Sequence, residues 1–196
     1  MKLSILMPVR NGEKFILKAL QSIPERDDIE TIIIDDCSED GTYEVVKLFS
    51  EYTDRKITLI KNQERKYCGG SLNVGIENAK GEYVLQLDSD DRLNTENLWA
   101  LLDQNNKEDL IFFLNEINDG RIFSPKNKEF CDHMCLYKRS LIGDTRYGNG
   151  THGQGRKFHN EILAKPHTEF YSSMIVYYYN FPRQGSTLDL KTRGLL

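Results

Sequence analysis

The carboxylates best suited to chemistry follow an apolar segment in the first half of the chain. Asp88-Ser89-Asp90 comes directly after the mainly apolar segment Tyr83–Leu87. Two loop carboxylates at positions i and i+2 can converge on one hard divalent cation, Mg²⁺ or Mn²⁺, which commonly shares its oxygen ligands with substrate phosphates. Acidic turns are also common as solvated loops that cap helices. The tripeptide therefore indicates a metal site only in combination with other features.

A second acidic pair stands in an equivalent place on another predicted strand. Asp35 and Asp36 follow the isoleucine-rich segment Ile29–Ile34. Short apolar segments alternate with amphipathic ones through residue 114, which predicts a mostly parallel sheet flanked by helices. In such a sheet, ligands bind beyond the carboxyl ends of the strands, where the strand order switches direction. Two separate strands are thus expected to deliver carboxylates to one rim.

The predicted elements follow from the spacing of apolar residues and from the turn residues between them. The strands predicted in the first part are Leu3–Met7, Ile29–Ile34, Ile57–Ile60, Tyr83–Leu87 and Leu110–Leu114. The helices predicted between them are Phe15–Ile23, Tyr43–Tyr52, Gly69–Ala79 and Thr95–Gln104. Further segments are a strand leading into a short helix over Leu136–Ile142, a helix over Phe158–Ala164 and a strand over Met174–Tyr179. The aromatic run Tyr177–Tyr179 is typical of a core or edge strand, and stacking on a sugar or base is the alternative.

Charge is divided unevenly along the 196 residues. Residues 1–120 contain 14 Lys and Arg and 24 Asp and Glu. Residues 121–196 contain 12 Lys and Arg and 6 Asp and Glu. The acidic part suits a metal site better than a nucleic-acid surface, and the basic part suits phosphates, anionic lipid or an acidic substrate. The structural alternative is that the basic part forms ion pairs with the acidic part of the same domain.

The hydropathy pattern and the four cysteines indicate a reducing compartment. The mean hydropathy is −0.55, and no apolar run approaches the ~18 residues of a membrane-spanning helix. The apolar start of the chain is too short for a signal peptide, so reduced thiols in the cytoplasm are expected. Peripheral contact with a membrane surface stays open.

Four blocks of sequence together resemble family 2 glycosyltransferases of the GT-A type. They match, in order, the family's opening strand, its D-D-G-S loop, its N-x-G helix with the following strand, and its L-D-S-D-D loop. The blocks are Ser4–Asn11, Ile32–Thr42, Gly70–Ile76 with Ala79–Tyr83, and Leu87–Asp91. The resemblance covers residues 3–91 and says little about the acceptor.

This resemblance implies a single domain with a GT-A, Rossmann-like fold, a mostly parallel α/β sheet flanked by helices. Residues 1–114 would bind the nucleotide sugar, and residues 115–196 would form the acceptor side. The implied activity is metal-assisted transfer of a sugar, with inversion, from a nucleoside diphosphate sugar, by expectation UDP-linked. The implied acceptor is a hydroxyl of a glycan, of a lipid-linked intermediate or of another molecule. The short chain also suggests a partner or a homo-oligomer.

Site residues are carried over from the family position by position. Asp36 would accept a hydrogen bond from the base, and Asp88 and Asp90 would ligate Mn²⁺ or Mg²⁺. Arg65 and Tyr67 are alternatives to Lys66 for a contact with base or phosphate. The positions implied for the nucleotide pocket are Pro8, Val9, Arg10, Asp36, Lys66, Gly69, Asn73, Asp88 and Ser89.

The chain departs from the family where inverting relatives carry an acidic general base. Gln154-Gly155 occupies that place, and neither residue can take a proton. Candidate replacements are His152, His159 and Glu161, since an imidazole near neutral pH is a competent base. For each candidate the structural alternative is a surface histidine on a glycine-rich loop or an exposed helix glutamate.

The missing acidic pair and the basic second part leave two alternatives to an active glycosyltransferase open. One is a nucleotide-sugar-binding protein that has lost catalysis. The other is a glycosyltransferase that acts on nucleic acid, which the basic residues interleaved with aromatics would permit and the overall acidic charge disfavours.

Overall fold

The computed structural model describes residues 2–104, 107–127, 132–148 and 154–180. Its strands are β1 (Leu3–Val9), β2 (Ile29–Asp35), β3 (Lys56–Lys61), β4 (Tyr83–Gln86), β5 (Arg92–Leu93), β6 (Leu110–Ile117), β7 (Ile122–Phe123), β8 (Cys135–Lys138) and β9 (Glu169–Tyr179). Its helices are α1 (Ile16–Gln21), α2 (Thr42–Glu51), α3 (Tyr67–Asn78), α4 (Thr95–Asp103), α5 (Arg139–Ile142) and α6 (Gln154–Leu163), with 3₁₀ turns at Pro125–Asn127 and Asp132–Met134. Within these ranges, no helix has the length and apolar character that crossing a membrane requires.

All described strands join one sheet in the order β3-β2-β1-β4-β8-β6-β9-β5, with β7 beside β6. The pairs β1–β2, β2–β3, β1–β4 and β6–β9 are parallel. Strand β8 runs antiparallel between β4 and β6, and β5 runs antiparallel to β9. The predicted mostly parallel sheet is therefore confirmed. The chain moves outward from β1 through β3 and then returns to β4 on the other side of β1, so the strand order switches direction between β1 and β4.

The core lies on both faces of the central strands. In β1, Ile5 and Met7 pack on one face with the helices α1, α2 and α4, whereas Leu6 packs on the other face with α3 and α6. Because both faces are covered, every residue of β2 is buried. This double burial explains why Ile29–Ile34 is a nearly continuous apolar run rather than an alternating one.

The predicted elements are confirmed, with differences at their ends. Strands β5 and β7 have two residues each, too few to give a periodic signal. Strand β9 begins at Glu169 rather than at Met174, because parallel pairing with β6 extends the strand toward its amino end. Helix α6 begins at Gln154 rather than at Phe158. Strand β6 runs across residue 114, so the division into a nucleotide part and an acceptor part stays a functional prediction.

Candidate functional site

Three loops meet at the carboxyl ends of β1, β2 and β4. They are residues 10–15 after β1, residues 36–41 after β2 and residues 87–91 after β4, which we call the acidic loop. A Cβ atom on Gly12 would lie 2.6 Å from Val9 Cγ2 and 3.4 Å from Ser89 Oγ. The first loop is therefore packed against the acidic loop without room for a side chain at Gly12, and the rim predicted from sequence is formed.

Hydrogen bonds join the first two loops. The backbone N–H of Asn11 donates to Ser38 Oγ at 3.0 Å, and the N–H of Glu39 donates to Asn11 Oδ1 at 2.9 Å. The N–H of Gly12 donates to Thr42 Oγ1 at 2.8 Å. Polar side chains thus satisfy backbone groups across the gap between the loops, which fixes the floor of the site.

Strained backbone is concentrated around the same rim. Asn11, Cys37 and Tyr67 have positive φ angles of 54°, 60° and 59°. Asparagine tolerates this region, but a cysteine or a tyrosine adopts it at a cost of roughly 1–2 kcal/mol. Such strain persists only where surrounding contacts enforce it, and it is characteristic of functional sites.

Asp36 is the buried carboxylate that organises this floor. It is 4% exposed, and its Oδ1 accepts hydrogen bonds from Asn62 Nδ2 at 2.9 Å and from the N–H of Lys66 at 2.7 Å. Its Oδ2 accepts one from the N–H of Tyr67 at 2.8 Å. Since a carboxylate oxygen can accept about two hydrogen bonds, Oδ2 keeps capacity for one further donor. The predicted contact with the base stays a prediction that this geometry permits.

The other residues predicted to line the nucleotide pocket at β1 differ in what they can offer. Val9 is buried in the core, so only its backbone could face a ligand. Pro8 is half-buried, and the Arg10 guanidinium forms an ion pair with Glu39 at 2.9 Å. Lys66 is exposed and immediately precedes α3. All four lie on or beside the rim.

Gly69 and Asn73 make protein contacts that the sequence did not predict. A Cβ atom on Gly69 would lie 2.8 Å from the carbonyl oxygen of Gly148 and 3.1 Å from Tyr147 Cβ. Asn73 Nδ2 donates to the carbonyl oxygen of Tyr147 at 2.9 Å, and the N–H of Tyr147 donates to Asn73 Oδ1 at 2.8 Å. Both residues hold residues 147–148 against α3. Their nucleotide-binding roles stay predictions, and the structure shows a packing role for each.

The acidic loop is held from two sides. Gln86 Nε2 donates to Asp88 Oδ1 at 2.8 Å, and the N–H of Asp88 donates to the hydroxyl of Tyr177 at 3.1 Å. The same hydroxyl donates to Asp91 Oδ2 at 2.6 Å, and the N–H of Asn180 donates to Asp91 Oδ1 at 2.7 Å. The carboxyl end of β9 therefore holds the acidic loop in place through hydrogen bonds.

Negative charge is concentrated in this loop. Asp91 is 1% exposed, and burial together with the charges of Asp88 and Asp90 raises the pKa of the Asp91 carboxyl to about 7. Asp88 and Asp90 are half-buried and lie at the accessible side of the loop. A cation beside these two carboxylates would relieve the repulsion.

The donor set fits a divalent cation that is shared with a ligand. Over the described ranges, no group of three or more His, Cys, Asp or Glu side chains could hold a metal by itself. Asp88 and Asp90 offer hard oxygen ligands, so Mn²⁺ or Mg²⁺ would complete its coordination with water and with oxygens of a bound diphosphate. The predicted metal ligands are compatible with that chemistry.

The three candidate bases fall in different surroundings. His159 is 8% exposed, its Nδ1 lies 2.6 Å from the hydroxyl of Tyr137, and burial lowers the pKa of the imidazole to about 4. Its contacts are those of a neutral core residue between α6 and the sheet, which argues against a catalytic role. Glu161 is exposed on the outer face of α6, 4.0 Å from Lys157 Nζ. His152 lies outside the described residues.

Sequence reasoning missed three residues that position the site. Asn62 and Gln86 orient Asp36 and Asp88, and Tyr177 joins Asp88 to Asp91. Gln86 carried a signal, since it is the polar residue in an otherwise apolar strand. Tyr177 carried none, because an aromatic run in a strand looks the same whether or not one hydroxyl has partners.

Comparison with known proteins finds sequence relatives of this chain. The model of a protein family described as Glycosyl transferase family 2 matches residues 4–165. Over 149 residues the chain is 29% identical to the poly(ribitol-phosphate) beta-N-acetylglucosaminyltransferase TarS of Staphylococcus aureus strain Mu50, covering 72% of this chain and 26% of that protein. Over 214 aligned positions it is 31% identical to the poly(ribitol-phosphate) beta-glucosyltransferase of Bacillus spizizenii strain W23. This alignment covers 97% of this chain and 34% of that protein.

Solved structures share the fold. The structure of residues 1–349 of S. aureus TarS in complex with UDP-GlcNAc matches 95% of this chain and 60% of that chain, with a TM-score of 0.85 and 22% identity. The structure of the mannosyltransferase PcManGT from Pyrobaculum calidifontis, in complex with GDP-Man and Mn²⁺, matches 94% of this chain and 58% of that chain. The TM-score is 0.76 and the identity 19%. The GT-A expectation for the fold is thereby confirmed.

Proposed function

We propose that this chain, which belongs to glycosyl transferase family 2, transfers a sugar from a nucleoside diphosphate donor to a hydroxyl acceptor. The observation that carries the proposal is the rim at the switch between β1 and β4, where Asp36 and the acidic loop follow the carboxyl ends of β2 and β4, the two strands that flank β1. The chain spans 26% and 34% of the two curated relatives described above, so their whole activities come to it only as proposals.

A UDP-linked donor is the favoured substrate. In its support, a solved relative holds UDP-GlcNAc, and Asp36 Oδ2 has acceptor capacity for a donor group on a base. A buried carboxylate in that place discriminates against a base that lacks the matching N–H, because the buried acceptor would be left unpaired. A second solved relative holds GDP-Man, so the identity of the base is part of the test.

The proposed chemistry is a displacement at the anomeric carbon. The acceptor oxygen forms a bond to this carbon as the bond to the diphosphate oxygen breaks, so the electron pair leaves with the diphosphate and the configuration inverts. Held by Asp88 and Asp90, a divalent cation would offset the charge that gathers on the leaving group. The proton of the acceptor hydroxyl passes to a general base, for which Glu161 and His152 stay the candidates.

The acceptor side supports a hydroxyl acceptor that carries negative charge. Arg156 and Lys157 are exposed on α6, whose first residue, Gln154, approaches Gly148 and Gly69 beside the site. Two relatives are named for poly(ribitol-phosphate), a phosphate-bearing polyol. Phosphodiester groups on the acceptor would be attracted by such cations. Glycan and lipid-linked acceptors belong to the same proposal.

A binding protein without turnover is the second candidate function. The observation in its favour is that Gln154 and Gly155, at the start of α6, offer no group that can take a proton. In this candidate the rim would still bind a nucleotide sugar, and only transfer would be lost. Turnover of a UDP-sugar by the wild-type protein would contradict it.

Thermal unfolding with UDP, GDP and dTDP, each with and without Mn²⁺, tests the proposed function in the wild type and in Asp90→Ala. A ligand present at about 100 times its Kd stabilises by about 2.7 kcal/mol, which raises the Tm of a domain of this size by several degrees. We expect a UDP shift that needs Mn²⁺ and is lost in Asp90→Ala. If no nucleotide shifts the Tm of the wild type, the glycosyltransferase proposal is wrong.

A further inference from the structure

We propose that Tyr177 is the positioning residue that sets the geometry of the acidic loop, so that a strand on the acceptor side of the chain controls the metal ligands on the donor side. The inference rests on the proposed function, because it assigns a task to the same loop. Tyr177 itself touches neither donor nor acceptor in this proposal, and it acts through Asp88 and Asp91.

The hydroxyl of Tyr177 uses both of its hydrogen-bonding capacities within the loop. It donates to Asp91 Oδ2 at 2.6 Å and accepts from the N–H of Asp88 at 3.1 Å. A phenolic oxygen has one proton to donate and lone pairs to accept with. One atom therefore connects the two ends of the segment that contains Asp90.

Each end of that segment has a further anchor. At Asp88, the side chain is held by Gln86 Nε2. At Asp91, Oδ1 accepts from the N–H of Asn180, and the N–H of Asp91 donates to the carbonyl oxygen of Asp88 at 3.1 Å. Asp90 thus lies between two fixed residues, and its distance from Asp88 depends on how firmly both are held.

Tyr177 is itself held in place. Its side chain is 0% exposed, and its ring stacks on His133 with 4.6 Å between ring centroids and 24° between planes. Strand β9 pairs with β6 on one side and with β5 on the other, and Tyr177 is the register partner of Leu93, shortly after the acidic loop. The hydroxyl therefore cannot follow the loop if the loop moves, which is what a positioning group requires.

Removal of this hydroxyl takes one hydrogen bond from each of two groups in the acidic loop. The N–H of Asp88 loses its acceptor, and Asp91 Oδ2 loses its donor, while the ring and its packing remain. Loss of a group that orients a metal ligand typically lowers metal affinity about 10–100-fold. We expect Tyr177→Phe to keep the fold and to weaken Mn²⁺ binding within that range.

Tyr83→Phe is the matched control. Tyr83 is 1% exposed, and its hydroxyl donates to the carbonyl oxygen of Glu108 at 2.8 Å. It lies at the amino end of β4, the opposite end of the strand from the acidic loop. Tyr83→Phe therefore deletes the hydroxyl of another buried tyrosine and removes no hydrogen bond of Asp88 or Asp91.

The experiment titrates Mn²⁺ against the wild type, Tyr177→Phe and Tyr83→Phe at a fixed concentration of UDP and follows the Tm. Amide hydrogen exchange at Asp88, measured by NMR in the same three proteins without metal or nucleotide, gives a second readout. We expect Tyr177→Phe to need about 10–100 times more Mn²⁺ for the half-maximal shift and to exchange the Asp88 amide faster. We expect Tyr83→Phe to match the wild type in both measurements.

The possible failures are distinguishable. If the wild type responds to UDP with Mn²⁺ and Tyr177→Phe has the same Mn²⁺ midpoint, the inference is overturned and the proposed function stands. Equal shifts in midpoint for both variants would also overturn it, because a general loss of packing would then be the cause. If the wild type responds to no nucleotide, the proposed function fails, and the role of Tyr177 in it fails too.

Discussion

At the scale of single residues, two aspartates that follow the strands on either side of β1 have different surroundings. Asp36 accepts three hydrogen bonds, from Asn62 and from the backbone at the start of α3. Its first role is therefore structural, and a contact with a ligand would be additional. Asp91 is buried with its carboxyl bound to Tyr177 and Asn180, which leaves the accessible part of the acidic loop to Asp88 and Asp90. A D-S-D-D segment therefore contains structural and chemical carboxylates, and burial separates them.

His159 gives a prediction at this scale. The folded protein holds the pKa of this imidazole at about 4 through burial, whereas the unfolded chain titrates near the ordinary value of 6.5. The unfolded state therefore gains protons first as pH falls, so stability is lost between about pH 6.5 and pH 4, by about 2 kcal/mol at about pH 5. In His159→Gln, which keeps an acceptor for Tyr137, we expect this loss to disappear. Urea unfolding at about pH 7.5 and about pH 5 measures it.

His167 is the control for the direction of this pH effect, because its pKa is shifted the opposite way. Its Nδ1 lies 2.7 Å from the carbonyl oxygen of Lys165 and its Nε2 lies 2.8 Å from Glu169 Oε1, and these partners raise the pKa of the imidazole. Its contribution to stability is therefore present below the unfolded pKa and is lost as pH rises through the folded one. His167→Gln should lose stability mainly at acid pH. Equal pH profiles for the two variants would contradict the assigned environments.

At the scale of elements, the sequence predicted what depends on local pattern and missed what depends on distant partners. The isoleucine run that became β2 and the helical spacing that became α1 were sufficient by themselves. The first part of β9, before Met174, was not predicted as a strand, because its strand character comes from pairing with β6, far earlier in the chain. The nucleotide-side loops were predicted from motifs, whereas the brace from Tyr177 needed the folded sheet.

Helix α3 gives the prediction for this scale. Asn73 makes two hydrogen bonds with the backbone of Tyr147, so Asn73→Ala removes both of them. We expect a loss of about 1–3 kcal/mol in the free energy of unfolding and faster amide exchange at Tyr147. Denaturant unfolding and NMR exchange measure the two effects.

Asn78→Ala is the control on the same helix. Asn78 is exposed, and its Nδ2 donates to the carbonyl oxygen of Val74 one turn earlier in the same helix. Alanine is the better helix former, so this change should be neutral or slightly stabilising. Equal losses for Asn73→Ala and Asn78→Ala would mean that residues 147–148 are not held through α3.

At the scale of the whole molecule, the acidic and the basic part of the sequence contribute different elements to the fold. The acidic loop belongs to the part that carries 24 acidic residues, and α6 belongs to the part with twice as many basic as acidic ones. Within α6, the residues that face the core are apolar or neutral, which leaves Arg156 and Lys157 on the outside. In the proposed function, the donor with its cation would bind at the acidic loop, and a phosphate-bearing acceptor would bind beside α6.

The combined change of Arg156→Gln and Lys157→Gln tests this arrangement. With the proposed function as premise, we expect the KM for a phosphate-bearing polyol acceptor to rise, the KM for the UDP-sugar to stay unchanged, and the rise to shrink at high salt because exposed charges are screened. Lys18→Gln is the control, since Lys18 is exposed on α1, on the opposite face of the sheet from α6. Steady-state kinetics with a phosphate-bearing and a neutral polyol acceptor, at low and high salt, measures the effect. If the double variant weakens both acceptors equally, α6 contributes shape rather than charge, and the acceptor need not be anionic.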